Sequence, residues 1–340
     1  MAYGATKPLP FHRAICESQA LEPGITGNFT RNAMRNLAAI TPCDATDLES
    51  AETIACLRNL SMQDLLDAQI TSHSQEPGQN LGDEWLPVVD GDFLPAAPSD
   101  LITQGAFHSV PAIIGWTETD TLPFVGSLPT PADVRDLYRG YLPAFTEENL
   151  DTLLSLYPED EFAADPVNNI SASTFRGGRI LRDIVMTCQP IHYAQAIADA
   201  GSDVYLYDWN QTMLEPFLPG YGPVHTSEFA YVFGNLSHYD IDGYPFNPSA
   251  SDAALRDRGA GSWASFVSQG MPSNDAYTTL EGWTPAFAKE GEVDIFVAGG
   301  PSEGLSAEDG PGASPALAAQ RLRERCAFIN SPEIIKQLQY

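Results

Sequence analysis

The sequence predicts an α/β fold, and three observations carry that prediction. Three apolar, β-branched or aromatic runs, "SVPAIIGW", "SDVYLYDWN" and "EVDIFVAGG", have the length and composition of buried strands. Between them lie long stretches of helical periodicity, the arrangement that builds a sheet with helices packed on it. The loops after the first two runs hold Glu118, Asp120 and His225, and α/β sheets place their sites in loops at the carboxyl ends of strands.

The elements follow in chain order. "TRNAMRNLAAI", "TDLESAETIACLRNL" and "SMQDLLDAQI" read as helices, the last opened by Ser61 and Asp64 at capping-box spacing. "EWLPVVDGDFLP" carries an Asp90-Gly91 turn signal between two short apolar pieces and reads as a hairpin before the first strand. Thr130 with Pro131, and Thr146 with Glu147 and Glu148, mark two helix starts. "FRGGRILRDIVMTCQPIHYAQAIADAG" is a longer helical segment, and "SDAALRDRGAGSWASFVSQGMP" sets Trp263 and Phe266 one turn apart. "GGPSEGLSAEDGPGASP" reads as a surface loop before a closing helical region. The helices outnumber what three strands need, so the pattern reads as part of a larger sheet.

The 340 residues allow one large domain, and the whole chain is read as one, residues 1–340. Against 17 Lys and Arg stand 45 Asp and Glu, a formal charge of -28. Such a surface repels phosphate backbones and anionic lipids, which argues against nucleic-acid or membrane-surface partners. No apolar run approaches the roughly 20 residues that span a bilayer, and the first 20 residues lack a basic region followed by an apolar one. Features of an exported protein are present nevertheless. Asn28, Asn59, Asn169, Asn210 and Asn235 each begin an Asn-x-Ser/Thr acceptor, and the five cysteines have spacings that look paired. The six histidines show no metal-ligand spacing, and no cofactor is expected.

A histidine serves hydrolysis when a carboxylate orients its Nδ1 and its Nε2 faces a nucleophilic hydroxyl. Here the chain order is acid then histidine, the order of an α/β-hydrolase, in which the serine comes earliest. On residue pattern alone both Glu118 and Asp120 are open as the acid.

Nearly end to end, the sequence resembles the type-B carboxylesterases, the cholinesterase-like branch of the α/β-hydrolases that includes secreted fungal lipases and esterases. "FHRAICESQA" is similar to the family's segment after the nucleophile helix, "CDATDLESAETIACLRNLS" to its small disulfide loop, and "WLPVVDGDFLPAAP" to the hairpin before the acid strand. "IIGWTETDTLPF" resembles the acid motif, "GPVHTSEFAYVFGN" the histidine motif with Glu228 three residues on, "SWASFVSQGMPS" a downstream Trp-Phe-Gly-Pro segment, and "RCAFIN" the last cysteine motif. The resemblance implies an α/β-hydrolase fold and a carboxylic ester hydrolase acting on small-molecule esters. It assigns His225 as general base and Asp120 as orienting acid, with Glu118 as the fallback. Thr121 stands where many relatives have Gly. It also implies pairs Cys43–Cys56 and Cys188–Cys326, leaving Cys16 as a small buried thiol, and these bridges imply oxidising export.

The family's Gly-x-Ser-x-Gly elbow and oxyanion-hole glycines are expected upstream of residue 1. The pattern "GPSEG", Gly300 to Gly304, follows the acid and the histidine and starts no helix, so Ser302 reads as a decoy. Ser18, in "CESQA", has no better claim. The expectation is therefore the C-terminal portion of a longer secreted hydrolase, begun at an internal methionine and inactive alone. The alternative is a non-catalytic binding or adhesion domain on the same fold. Trp116 and Phe124 are open between lining a pocket and packing in the core.

Overall fold

The computed structural model describes residues 1–43, 47–75, 85–240 and 247–340. Its centre is a five-stranded sheet of β1 (Ala14–Glu17), β2 (Ala112–Thr117), β3 (Val204–Trp209), β4 (Asp294–Ala298) and β5 (Gly304–Ala307), ordered in space as in sequence. The first four run parallel, with Ala14 opposite Ala112, Ala112 opposite Val204, and Leu206 opposite Ile295. β5 returns antiparallel, setting Ala307 opposite Asp294.

A parallel pair needs a crossover, and helices supply each one. Between β1 and β2 lie α1 (Phe29–Ile40), α2 (Ala51–Asn59), α3 (Met62–Gln75) and α4 (Pro98–Thr103). Between β2 and β3 come α5 (Pro131–Tyr141), α6 (Glu147–Ser155), α7 (Ala172–Arg182) and α8 (Cys188–Asp199), the last two joined by a π-helical turn at Asp183–Thr187. α9 (Phe229–Val232) and α10 (Ala250–Gln269) precede β4, and α11 (Pro315–Ala318), α12 (Leu322–Ile329) and α13 (Pro332–Leu338) close the chain. The starts follow the capping chemistry: Ser61 Oγ accepts the Asp64 N–H at 3.1 Å, Thr130 and Asp133 form a capping box, and Thr146 accepts from Asn149.

Every residue of β2 and β3 is buried, because both faces of the sheet are covered. Alternation sorts their side chains between two cores. Ile114, Trp116, Leu206 and Val297 pack with Tyr138, Leu153, Ile184 and Leu322 on one face. Ile113, Tyr205, Tyr207, Trp209 and Phe296 pack with Tyr231, Trp263, Phe266 and Trp283 on the other. Full burial of each large apolar side chain stabilises by about 1.5–3 kcal/mol. The centre of the sheet is thus the rigid platform, and the loops leaving β2 and β3 inherit its precision.

Three expectations change. The loop "GGPSEGLSAEDGPGASP" contains β5. β1 is a strand that the pattern did not announce, since its four residues are all half-buried and show no alternation. The segment expected to form a hairpin has the turn without strands: Asp90 Oδ1 accepts the N–H groups of Asp92 and Leu94, both at 2.9 Å, and the flanking apolar pieces form no strand ladder, Leu86 bonding Thr30 and the Phe93 carbonyl accepting from Tyr3 instead. An Asx turn satisfies itself locally and needs no ladder.

Disulfides join Cys43 to Cys56 and Cys188 to Cys326, the second tying α8 to α12. Cys16 is free and half-buried, and burial pushes its thiol up from the ordinary range. Among the described residues, no helix is long and apolar enough to cross a membrane.

Candidate active site

The acid loop leaves β2 in a tight turn, with the Asp120 N–H donating to the Thr117 carbonyl at 3.2 Å. This turn points the Asp120 side chain back into the protein, where it is fully buried. One carboxylate oxygen accepts from Ser18 Oγ at 2.6 Å and from the Thr117 N–H at 2.9 Å; the other lies 2.6 Å from His225 Nδ1. Glu118 goes elsewhere. Its carboxylate is 3.8 Å from Arg179 and 30% exposed, and it makes no contact with His225. Thr121 sits at φ -99°, a conformation open to any residue, so the replacement of glycine there leaves the turn unstrained.

The histidine loop is stitched to the acid loop by its backbone. The His225 N–H donates to the Asp120 carbonyl at 3.2 Å, the Thr119 N–H to the Pro223 carbonyl at 3.0 Å, and Thr119 Oγ1 to the Tyr221 carbonyl at 2.6 Å. Gly220 has φ +79°, and a Cβ there would meet Asn168 and Asp165 at 2.5 Å, so only glycine fits this approach. Thr226, next to the histidine, has φ +72°. A β-branched residue in that region stores about 1–3 kcal/mol of strain, and its carbonyl is held by the Tyr239 hydroxyl.

The hydrogen bond to Asp120 raises the His225 pKa above its ordinary value, burial opposes this, and the charges of Asp120 and Glu228 add to the rise. With Nδ1 committed to the carboxylate, Nε2 is left free to accept a proton, the arrangement of a general base. Among the described residues no hydroxyl is hydrogen-bonded to that nitrogen. The side chain stays 34% exposed.

A sequence model of the carboxylesterase family matches residues 5–296. The chain belongs to the carboxylesterase family. It is 44% identical to the "Secreted lipase ARB07186/07185" of Arthroderma benhamiae over 341 residues, covering all of this chain and 60% of that protein. It is 31% identical to the "Inactive carboxylesterase-like protein VdtD" of Byssochlamys spectabilis, over 78% of this chain and 48% of the relative. The crystal structure of Aspergillus niger EstA superposes with a TM-score of 0.77 at 19% identity, over all of this chain and 61% of EstA, which identifies the fold as that of an α/β-hydrolase. The chain therefore spans about 60% of the length of the first of these relatives.

In this carboxylesterase chain two groups behind the His225–Asp120 pair escaped the sequence. Ser18 bonds the acid, not Nε2 of the histidine, from a left-handed backbone (φ +52°) at the end of β1. Neither property is visible without the fold. Glu228, a quoted motif residue to which the pattern gave no role, is 1% exposed; it accepts from Tyr207 at 3.2 Å through one oxygen, and its other oxygen has no partner. Burial and the nearby Asp120 raise it to about 8.

The aromatics separate cleanly. Trp116 is wholly buried in the core, whereas Phe124 is 49% exposed and sets its ring against His225 with centroids 5.6 Å apart. Ser302 lies in the turn between β4 and β5 and takes no part in the His225 network. No group of three or more metal-ligating side chains occurs among the described residues.

Proposed function

We propose that this chain supplies the acid–base half of a serine ester hydrolase, with His225 as general base and Asp120 as its orienting acid. The observation that carries the reading is the 2.6 Å contact between His225 Nδ1 and a fully buried Asp120 whose other oxygen is held by two further donors. The nucleophilic serine and the oxyanion donors come from outside these 340 residues. Support comes from Ser18, which faces the acid, and from the chain's span of 60% of its secreted lipase relative. In the complete protein His225 takes the serine proton as the hydroxyl attacks the ester carbonyl, then returns it to the leaving alcohol; water repeats the cycle on the acyl-enzyme. Phe124 forms an apolar wall beside the imidazole. Without serine and oxyanion hole the chain alone has no useful rate.

The protein is secreted in this reading, which fits the two disulfides and the relative named a secreted lipase. Asn28, Asn59, Asn169 and Asn235 are exposed and are the glycan sites to expect; Asn210 is half-buried. Digestion of the native protein with a glycosidase that releases N-glycans tests this by a mobility shift.

A second reading, a non-catalytic binding domain, is favoured by one observation, the relative named an inactive carboxylesterase-like protein. A serine-directed fluorophosphonate applied to the native protein decides between the two. Labelling of a serine outside residues 1–340 is expected, lost on His225→Gln. A labelled serine inside the chain overturns the external nucleophile, and no labelling at all leaves the binding reading.

A further inference from the structure

Beside the acid loop, a cavity of about 240 Å³ opens between that loop and α7. Leu122, Phe162 and Phe175 form apolar walls, and Arg179 and Glu118 line it together with Glu161; neither His225 nor Phe124 does. Arg179 is the unusual group. Its side chain is only 15% exposed, yet it makes no hydrogen bond to any described residue, and its sole ionic contact is Glu118 at 3.8 Å.

The neighbouring buried arginines show what a settled guanidinium looks like here. Arg176 donates to the carbonyls of Tyr157 and Leu154 at 2.7 and 2.9 Å. Arg182 bonds Asp183 and the Glu118 carbonyl, and Arg325 bonds the carbonyls of Leu156 and Gln320. A guanidinium carries five donors, and leaving a mostly buried cation unbonded is costly. Burial lowers Arg179 to about 10, so it remains a cation at neutral pH.

We propose that this cavity binds a medium-chain carboxylate, with Arg179 taking the head group in a two-pronged contact and the aromatic walls taking the chain. A planar carboxylate matches the guanidinium fork. A phosphate dianion fits worse, because Glu118 and Glu161 share the lining. Glu161 is already neutralised by Arg321 and Arg325, and Glu118, 30% exposed, is free to turn toward solvent. At about 30 Å³ per water-sized group, the volume holds roughly eight non-hydrogen atoms, the size of hexanoate. That such an acid is the product class of the enzyme rests on the ester-hydrolase reading; the binding itself does not.

Titration calorimetry of hexanoate against this chain tests the site, with hexanol as the uncharged control. Hexanoate binds, hexanol binds at least about tenfold more weakly, and Arg179→Gln weakens hexanoate by a similar factor. Ala163→Trp, which fills the cavity from an exposed lining position and keeps the arginine, does the same even where Arg179→Gln fails to fold. His225→Asn leaves the affinity unchanged. Absence of binding, equal binding of the alcohol, undiminished affinity in a folded Arg179→Gln or in Ala163→Trp, or loss in a folded His225→Asn overturns the proposal. Fluorophosphonate labelling is a separate measurement, so failure of the binding site and failure of the hydrolase reading are told apart.

Discussion

Asp120 and Glu118 leave the same strand two residues apart, yet Asp120 is fully buried with both oxygens bonded, while Glu118 is 30% exposed and approaches only Arg179, at 3.8 Å. The difference comes from the turn between them. Once the Asp120 N–H closes on the Thr117 carbonyl, the third residue after Thr117 points into the sheet end and the first points toward α7. Two carboxylates thereby take separate work: one holds the His225 imidazole, the other loosely screens a cation. Proximity in sequence says little about which carboxylate serves a site; the number of donors aimed at it says more.

The sharpest test of that contrast is Asp120→Asn. On the proposed hydrolase reading it lowers kcat of the complete protein by about 10⁴-fold, because the amide no longer fixes the productive tautomer. In this chain alone the His225 titration, followed by NMR, moves down, since the hydrogen bond to Asp120 is the main cause of its rise. An unchanged titration breaks the pairing.

Ser18→Ala is next in size. It strips one donor from a buried carboxylate and lowers stability by about 1.5–3 kcal/mol in urea unfolding. A loss under about 0.5 kcal/mol, the range of an ordinary surface change, means that Asp120 is not held as tightly as its geometry indicates.

Glu228→Gln sharpens the comparison through pH. The folded pKa of Glu228, about 8, lies above its ordinary 4.5, so between those values the native state holds more protons than the unfolded chain and stability falls as pH rises. The penalty is complete above about pH 8. His225, also raised, loses its contribution only as pH climbs through its folded value, above the ordinary 6.5. The variant therefore flattens the lower part of the decline, from about pH 5 to 6, as read from unfolding midpoints; an unaltered slope there sinks the assignment.

The smallest effect belongs to Glu118→Gln. Stability stays within about 0.5 kcal/mol and, on the proposed hydrolase reading, activity of the complete protein within about twofold, measured beside Asp120→Asn. A large loss of activity would reverse the roles of the two acids.

Much of this was legible beforehand, for identifiable reasons. β2, β3 and β4 stand out because strands buried on both faces are continuous apolar runs, and the loops after β2 and β3 are where an α/β sheet delivers chemistry. β1 and β5 were not legible: each has four residues at a sheet edge, and Gly304 and Ser306 carry no strand preference. The choice of Asp120 over Glu118 rests on family resemblance, not on pattern. Ser18 was passed over because its role depends on a contact across 102 residues and on a left-handed backbone. Nothing in the sequence singles out Arg179, and its lack of hydrogen-bonding partners among the described residues exists only once α7 is packed.

The Cys188–Cys326 bridge sets a timetable for biogenesis. At a synthesis rate of roughly 5–20 residues per second, the second thiol follows the first, 138 residues on, by roughly 7–30 s. The Cys43–Cys56 loop, 13 residues long, is complete within a few seconds at the same rate. For most of that interval Cys188 waits as a thiol beside a finished small loop and the free Cys16. An oxidant that acts too early has only wrong partners to offer it, so the maturation of this protein depends on late oxidation or on an isomerase that corrects it.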